Sequence, residues 1–301
     1  MVGKPLDKIR IVLVGVGAAN VATYRLLIAY GVEPKAIIAC DTGGILHRSR
    51  SDIERQQAQF ADKWRICLES NGDNRRGASE LAFKDADACI AFSRPEPDVI
   101  RPGWIRTMAR DPIVFACAKP APEIWPDAAR SAGARIVATG RSDFPNQLNN
   151  SLVFPGLFRG VLDVRARTIS NNMAIAAAEE LVAFARRRGL SADQLLPLMT
   201  DWTAAAGVAA AAGAAAVTEG LGAQSIETRA TRAAGARCHW PKPRRGGSAD
   251  RGWPHCPAAV MLPCGFQWAS AGFGAAWSIS GRPWIHSRSI GARGPRVGAT
   301  D

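Results

Sequence analysis

The chain has 301 residues, 47% of them hydrophobic, which allows a normal buried core and up to two domains. Its formal net charge of +12 would suit a nucleic-acid partner, but residues 1–225 carry 27 basic and 23 acidic side chains while residues 226–301 carry 11 and 3, so the excess is concentrated in the last quarter. No apolar run reaches the roughly 18–20 residues of a membrane span, and Lys4, Asp7, Lys8 and Arg10 stand where a signal peptide would be apolar.

In chain order, the first predicted element is a strand over Ile9–Val14, with Ile9, Ile11, Val12 and Val14 β-branched. It runs into Gly15-Val-Gly17 and then a helical pattern of Ala18, Ala22, Leu26 and Ala29, stopped by Gly31. This order opens a dinucleotide-binding βαβ unit. Gly15 permits the tight turn. Gly17 lets the backbone approach a pyrophosphate, and the helix start offers free N–H groups and a positive dipole end. Asn20 occupies the third position, where Gly or Ala is usual. A second strand, Ala36–Cys40, ends in Asp41, 21 residues past Asn20, where a carboxylate accepts from an adenosine ribose. The bland alternative is a ligand-free glycine turn with a loop acid. It explains less, because strand, glycines, helix and acid come in the required order. Asp41 favours NAD over NADP, since an acid repels a 2′-phosphate. His47, Arg48 and Arg50 could reach such a phosphate but read as a solvated loop.

A helix follows around Asp52–Cys67, with Ile53, Phe60 and Trp64 on one face, then a strand Ala88–Phe92. Pro97–Ala109 reads as a helix, Ile113–Cys117 as a strand, Pro122–Ala132 as a helix and Arg135–Thr139 as a strand. Continuous apolar strands alternating with helices predict an α/β fold, a doubly wound parallel sheet covered on both faces. Residues 140–158 read as an Asn-rich polar loop (Asn146, Asn149, Asn150) ending in apolar Leu152–Phe158. Helices return at Met173–Arg188, capped by Asn171 or Asn172 and stopped by Gly189. A capping box at Ser191 and Gln194 opens the next helix, and an Ala-rich helix spans Asp201–Val217.

The pattern fails after about Ala223. Residues 226–301 hold 11 Gly, 7 Pro and 5 of the 9 Trp without lasting periodicity. Disordered tails carry few aromatics, and folded domains show a period. A shifted reading frame in a GC-rich gene would give this mixture. We therefore expect a domain over 1–223 and an irregular basic tail over 224–301. The seven cysteines form no CxxC pair. Cys40, Cys89 and Cys117 lie in apolar strands as small hydrophobes, which suits a reducing cytoplasm.

Four segments resemble the NAD(P)-binding domain of malic enzymes, and most closely the short prokaryotic forms. They are Gly15–Leu27, Phe115–Trp125, Ala134–Asn150 and Phe154–Gly160, with Thr139-Gly-Arg-Ser-Asp-Phe-Pro-Asn-Gln-Leu-Asn-Asn150 the most specific. The resemblance covers residues 8–223 and implies a Rossmann-type domain followed by C-terminal helices. It implies a cofactor, NAD or NADP, bound at Gly15, Gly17, Ala18, Ala19 and Asn20, with Asp41 near the ribose. It implies that Asn149 and Asn150 face the nicotinamide and malate. Lys119 stands where the family usually has an asparagine contacting nicotinamide and substrate. A charge there would weaken binding of the oxidised ring.

The family's Mg²⁺ or Mn²⁺ ligands and its catalytic Tyr and Lys precede the dinucleotide strand. No catalytic or metal-ligating residue is therefore assigned in this chain, which is expected to be incomplete alone. Homodimerisation is a family expectation only. Asp85 and Asp87 read as turn acids, and Glu179 and Glu180 as a solvated helix face. Cys238, His239, His255, Cys256 and Cys264 lack zinc spacing. Two other readings compete. One is a different Rossmann dehydrogenase, which the Asn149-Asn150 segment opposes. The other is a dinucleotide-sensing module whose basic tail contacts nucleic acid, although its Arg and Trp follow no helix or strand.

Overall fold

A computed structural model of the chain describes residues 2–222. The expectations for residues 224–301 lie outside them. The strands are β1 (Ile11–Val14), β2 (Ile37–Asp41), β3 (Gly44–Ile45), β4 (Ala88–Ala91), β5 (Ile113–Ala116) and β6 (Ile136–Thr139). They form one sheet in the order β3-β2-β1-β4-β5-β6. All neighbours are parallel except β2 and β3, an antiparallel edge pair that the sequence did not signal. The chain leaves β1 for β2 on one side and returns to β4 on the other. The switch point, where α/β sheets bind ligands, is thus at the carboxyl ends of β1 and β4.

Side chains of a strand alternate between faces, and each face has its own helical cover. Val12, Val14, Cys89, Val114 and Val137 pack with Phe83, Ile100, Ile105, Met108 and Ile124. Ile11, Leu13, Ile37 and Ala39 pack with Val21, Tyr24, Ile53 and Ile66. The first cover includes α4 (Pro102–Ile105) and α5 (Pro126–Ser131). The second consists of α1 (Ala18–Ala29), α2 (Ser51–Glu54) and α3 (Ala61–Glu69).

Beyond the sheet, α6 (Phe154–Asp163), α7 (Asn171–Arg188) and α8 (Thr203–Thr218) share a third core of Leu157, Ala177, Leu181, Val208 and Ala212. Glycine sets the α6–α8 spacing. A Cβ on Gly156 would lie 2.5 Å from the Ala205 carbonyl oxygen, and one on Gly160 2.4 Å from that of Ala209.

Several boundaries differ from expectation for identifiable reasons. The helix around Asp52–Cys67 is two helices, because Glu54–Gln59 offers no apolar face and Phe60 ends half exposed. Pro97–Ala109 contains only the short α4. Asp98 has a positive φ, and Pro102 lacks the N–H that would continue a helix from earlier residues. Ser191 and Gln194 open no helix. Their backbones bond reciprocally, the Asp193 N–H donates to the Ser191 hydroxyl, and the Leu195 N–H donates to Asn146 Oδ1 at 2.8 Å. The cap of α7 is Ser170, whose hydroxyl accepts from the Met173 N–H at 3.1 Å. No described helix is long and apolar enough to cross a membrane.

Candidate functional site: the carboxyl edge of the sheet

The sequence-predicted residues fall in one row along the carboxyl edge. Asp41 ends β2, Gly15 and Gly17 follow β1, Lys119 follows β5, and Asn149 and Asn150 lie beyond β6. The register keeps the first of these together: Val14 pairs with Cys40, and the Gly15 N–H donates to the Cys40 carbonyl at 2.9 Å. From β2 to β6 the row crosses four strand spacings, about 19 Å at about 4.8 Å each. That is the scale of an extended two-nucleotide ligand.

The glycine turn is built from both sides. Gly15 has φ +84°, and a Cβ there would meet the Phe92 carbonyl oxygen at 2.5 Å, so this glycine serves the fold. Gly17 has an ordinary φ of −90°, and a Cβ on it would meet nothing within 4 Å. The space beside Gly17 is open. Gly17, Ala18 and Ala19 are exposed. The start of α1 has no side-chain cap and no acid in its first turn, so its N–H groups and dipole are left for an anion.

Asn20 differs from expectation. It is fully buried, and its Nδ2 donates to the Val14 carbonyl at 2.9 Å and the Gly15 carbonyl at 2.7 Å. The side chain therefore braces the turn from inside. Only its backbone, in the first turn of α1, belongs to the open helix start. A third glycine would allow close helix–strand approach; Asn20 instead fills that gap with hydrogen bonds.

Asp41 also differs. Its Oδ1 accepts from Arg50 Nη1 at 3.0 Å and the Gly43 N–H at 2.8 Å, and its Oδ2 from Arg50 Nη2 at 3.2 Å and Lys63 Nζ at 2.6 Å. Burial alone would raise its pKa; the bonds and charges of Arg50 and Lys63 outweigh burial and hold it below the ordinary value. Arg50 is thus no solvated loop residue. It bridges Asp41 and Asp52, whose carboxylate it meets at 2.7 Å.

Sequence reasoning missed Glu123. It is fully buried, and its Oε1 accepts from the Ser93 N–H at 2.8 Å and hydroxyl at 3.1 Å, its Oε2 from the Ala118 N–H at 3.1 Å. One carboxylate thus ties the loop after β4 to the loop after β5. Its only sequence signal is an acid inside Pro122-Glu-Ile-Trp125, which reads as an ordinary helix start. Lys119 is exposed, and its stem lies against Gly140, where a Cβ would meet Lys119 Cε at 2.8 Å. Asn146 is structural: its Nδ2 donates to the Val137 carbonyl at 3.0 Å and the Ala192 carbonyl at 2.6 Å. Asn149 caps a 3₁₀ turn by accepting from the Ser151 N–H, and Asn150 is exposed.

The described residues offer other chemistry little support. Burial pushes the Cys40 and Cys117 thiols up to about 12 and that of Cys67 to about 11. They stay protonated at neutral pH and are poor nucleophiles. Asp87 accepts from the Arg10 N–H at 2.8 Å and pairs with Lys4, anchoring the start of the sheet. Glu180 pairs with Arg187. Among the described residues no three His, Cys, Asp or Glu side chains gather to hold a metal ion. A cavity of about 390 Å³ lined by Arg10, Lys35, Asp73 and Lys84 opens at the amino edge, opposite the edge where doubly wound sheets bind ligands.

Residues 1–219 match the family model described as "Malic enzyme, NAD binding domain". The chain belongs to the malic-enzyme NAD-binding family. It is 41% identical over 223 residues to the bifunctional malic/malolactic enzyme of Bacillus subtilis, covering 73% of this chain and 51% of that protein. It is 42% identical over 185 residues to an NADP-dependent malic enzyme of Halomonas elongata, covering 61% and 41%. The crystal structure of Entamoeba histolytica malic enzyme superposes with a TM-score of 0.72 at 37% identity, covering 80% of this chain and 53% of that one. The chain thus spans about half the length, or less, of the malic enzymes it matches.

Proposed function

We propose that this malic-enzyme domain binds NAD(P) along the carboxyl edge of its sheet and, in the presence of the rest of a malic enzyme, presents the nicotinamide to malate. The observation that carries the reading is the open space at Gly17, beside an uncapped and acid-free helix start. NAD(P)⁺, when bound, supplies the hydride acceptor for the malate hydroxyl carbon. The chain's own residues bind and orient. The first-turn N–H groups of α1 hold the pyrophosphate, and Glu123 fixes the Ser93 and Ala118 loops on which the second half of the ligand rests. Asn149 and Asn150 supply neutral amides that can donate and accept beside a carboxamide or hydroxy acid. Lys119 brings a cation to that end, which disfavours the positively charged oxidised ring relative to the reduced one.

Malate oxidation and decarboxylation are assigned to the assembled enzyme. The 301-residue chain by itself is expected to hold the dinucleotide without turning over malate. The test is a titration with NADPH and NADH followed by nicotinamide fluorescence, and then an assay with malate, Mn²⁺ and oxidised cofactor. Saturable binding without malate-dependent reduction is the expected result. Failure to bind any of the dinucleotides would end the binding reading, and turnover by the chain alone would end the second part.

A further inference from the structure

Parallel strands share no hairpin, so the loops at their carboxyl ends need side chains to hold them together. Glu123 ties the loop after β4 to the loop after β5. Arg141 ties the loop after β5 to the loop after β6. Its Nη1 donates to the Pro120 carbonyl at 2.7 Å, next to Lys119. Its Nε and Nη2 donate to the two Asp143 carboxylate oxygens at 2.8 and 2.7 Å, a bidentate fork. The guanidinium also lies against two rings, 5.6 Å from the Trp125 centroid and 5.8 Å from that of Phe144. Trp125 stands just before α5 and Phe144 follows β6, so this contact spans the same two loops. The loop after β6 is closed at its base. The Arg141 N–H donates to Thr139 Oγ1 at 2.9 Å, and the Leu148 N–H donates to the Thr139 carbonyl at 2.8 Å. Residues 140–147 therefore leave and return at the buried end of β6, and the chain passes directly into Asn149 and Asn150. The group that holds this loop against Pro120 also sets the two asparagines relative to Lys119. None of this is core packing. The Arg141 side chain is 33% exposed and that of Asp143 52%, and exposed ion pairs add little to stability.

We propose that Arg141 is a positioning residue, which joins the loops after β5 and β6 into one surface that orders the nicotinamide half of the dinucleotide. The proposal rests on the dinucleotide reading above and adds to it the device that aligns the second half of the ligand. Arginine suits the task because its planar fork makes three directed bonds while its face stacks on rings. Lysine could supply the charge and the ring contact but not the fork. On the same reading the adenosine half lies at β1 and β2, beyond β4, and does not sense the clamp.

The test compares two kinds of ligand on the full 301-residue chain. NADH and NADPH are titrated by nicotinamide fluorescence. ADP-ribose and its 2′-phosphate, which carry no nicotinamide, are titrated by calorimetry. Arg141→Ala should weaken the better-bound reduced dinucleotide by about tenfold and abolish its fluorescence enhancement, while the matching nicotinamide-free ligand changes less than about twofold. The thermal midpoint should stay within about 3 °C of the wild type. Arg141→Lys should behave like Arg141→Ala, because the geometry of the fork and not its charge is at issue. Asp143→Asn, which leaves Arg141 in place and breaks the charged fork, should weaken the same dinucleotide by about threefold, and it carries the test if Arg141→Ala does not fold. Wild-type binding restored by lysine, equal weakening of both kinds of ligand, or no change in either would overturn the proposal and leave the dinucleotide reading standing. A wild-type chain that binds none of the four ligands would overturn both.

Discussion

Gly15 and Gly17 stand in the same turn and are glycine for different reasons. Gly15 is required by the chain itself, through its positive φ and the Phe92 carbonyl against it. Gly15→Ala should cost about 2–4 kcal/mol, from the left-handed penalty and a backbone clash. Gly17 is not required by the fold. Gly17→Val should leave the thermal midpoint of unfolding nearly unchanged and abolish detectable dinucleotide binding, as scanning calorimetry and titration of the two variants would show. A Gly17→Val protein that bound normally would mean that the open space has no ligand. Asp41 gives a prediction in pH. Its folded pKa is lowered, so it contributes stability above the unfolded value of about 3.9 and loses it as pH falls through the folded one. Asp41→Asn should cost about 1.5–3 kcal/mol at pH 7, the range for hydrogen bonds to charged groups. The wild-type and variant denaturant curves should converge as the pH drops below about 4.

At the level of elements, α6 and α8 pack backbone to backbone. Gly156 and Gly160 bring the α6 backbone against Ala205 and Ala209, which is why α8 is rich in alanine. Gly160→Ala should destabilise by at least about 1–3 kcal/mol, because its Cβ meets backbone that cannot rotate away. A thermal midpoint lowered by several degrees checks this, whereas Gly103→Ala, with nothing within 4 Å, should change little. The parallel strands were legible because each is a continuous apolar run buried on both faces. α6 was not. Residues 140–158 read as a loop ending in an apolar run, yet Pro155 sits in the first turn of α6, and Gly156 and Gly160 mark a helix contact that only the tertiary structure supplies. The short antiparallel β3 was equally hidden, since two residues carry no period.

At the scale of the whole molecule, the site is a line of loops held by the order of the strands, and its parts were unequally legible. Gly15, Gly17 and Asp41 could be placed from the sequence because the βαβ motif fixes their spacing. Their partners could not. Arg50 and Lys63 reach Asp41 from across a turn and from α3, and Glu123 joins Ser93 to Ala118 across 30 and 5 residues. Such pairings follow from strand order, which a single sequence does not state. The same residues change how Asp41 reads: an acid that stands alone in the sequence is tied to Arg50 and Lys63 in the fold. One dinucleotide is proposed to lie along this carboxyl edge. The most direct test is backbone amide chemical-shift mapping of the isotope-labelled chain on adding NADP⁺. Saturable shifts should cluster at Gly17, Ala18, Ala19, Ser93 and Lys119. Shifts clustered instead around Arg10, Lys35, Asp73 and Lys84 at the amino edge, or none at all, would contradict it.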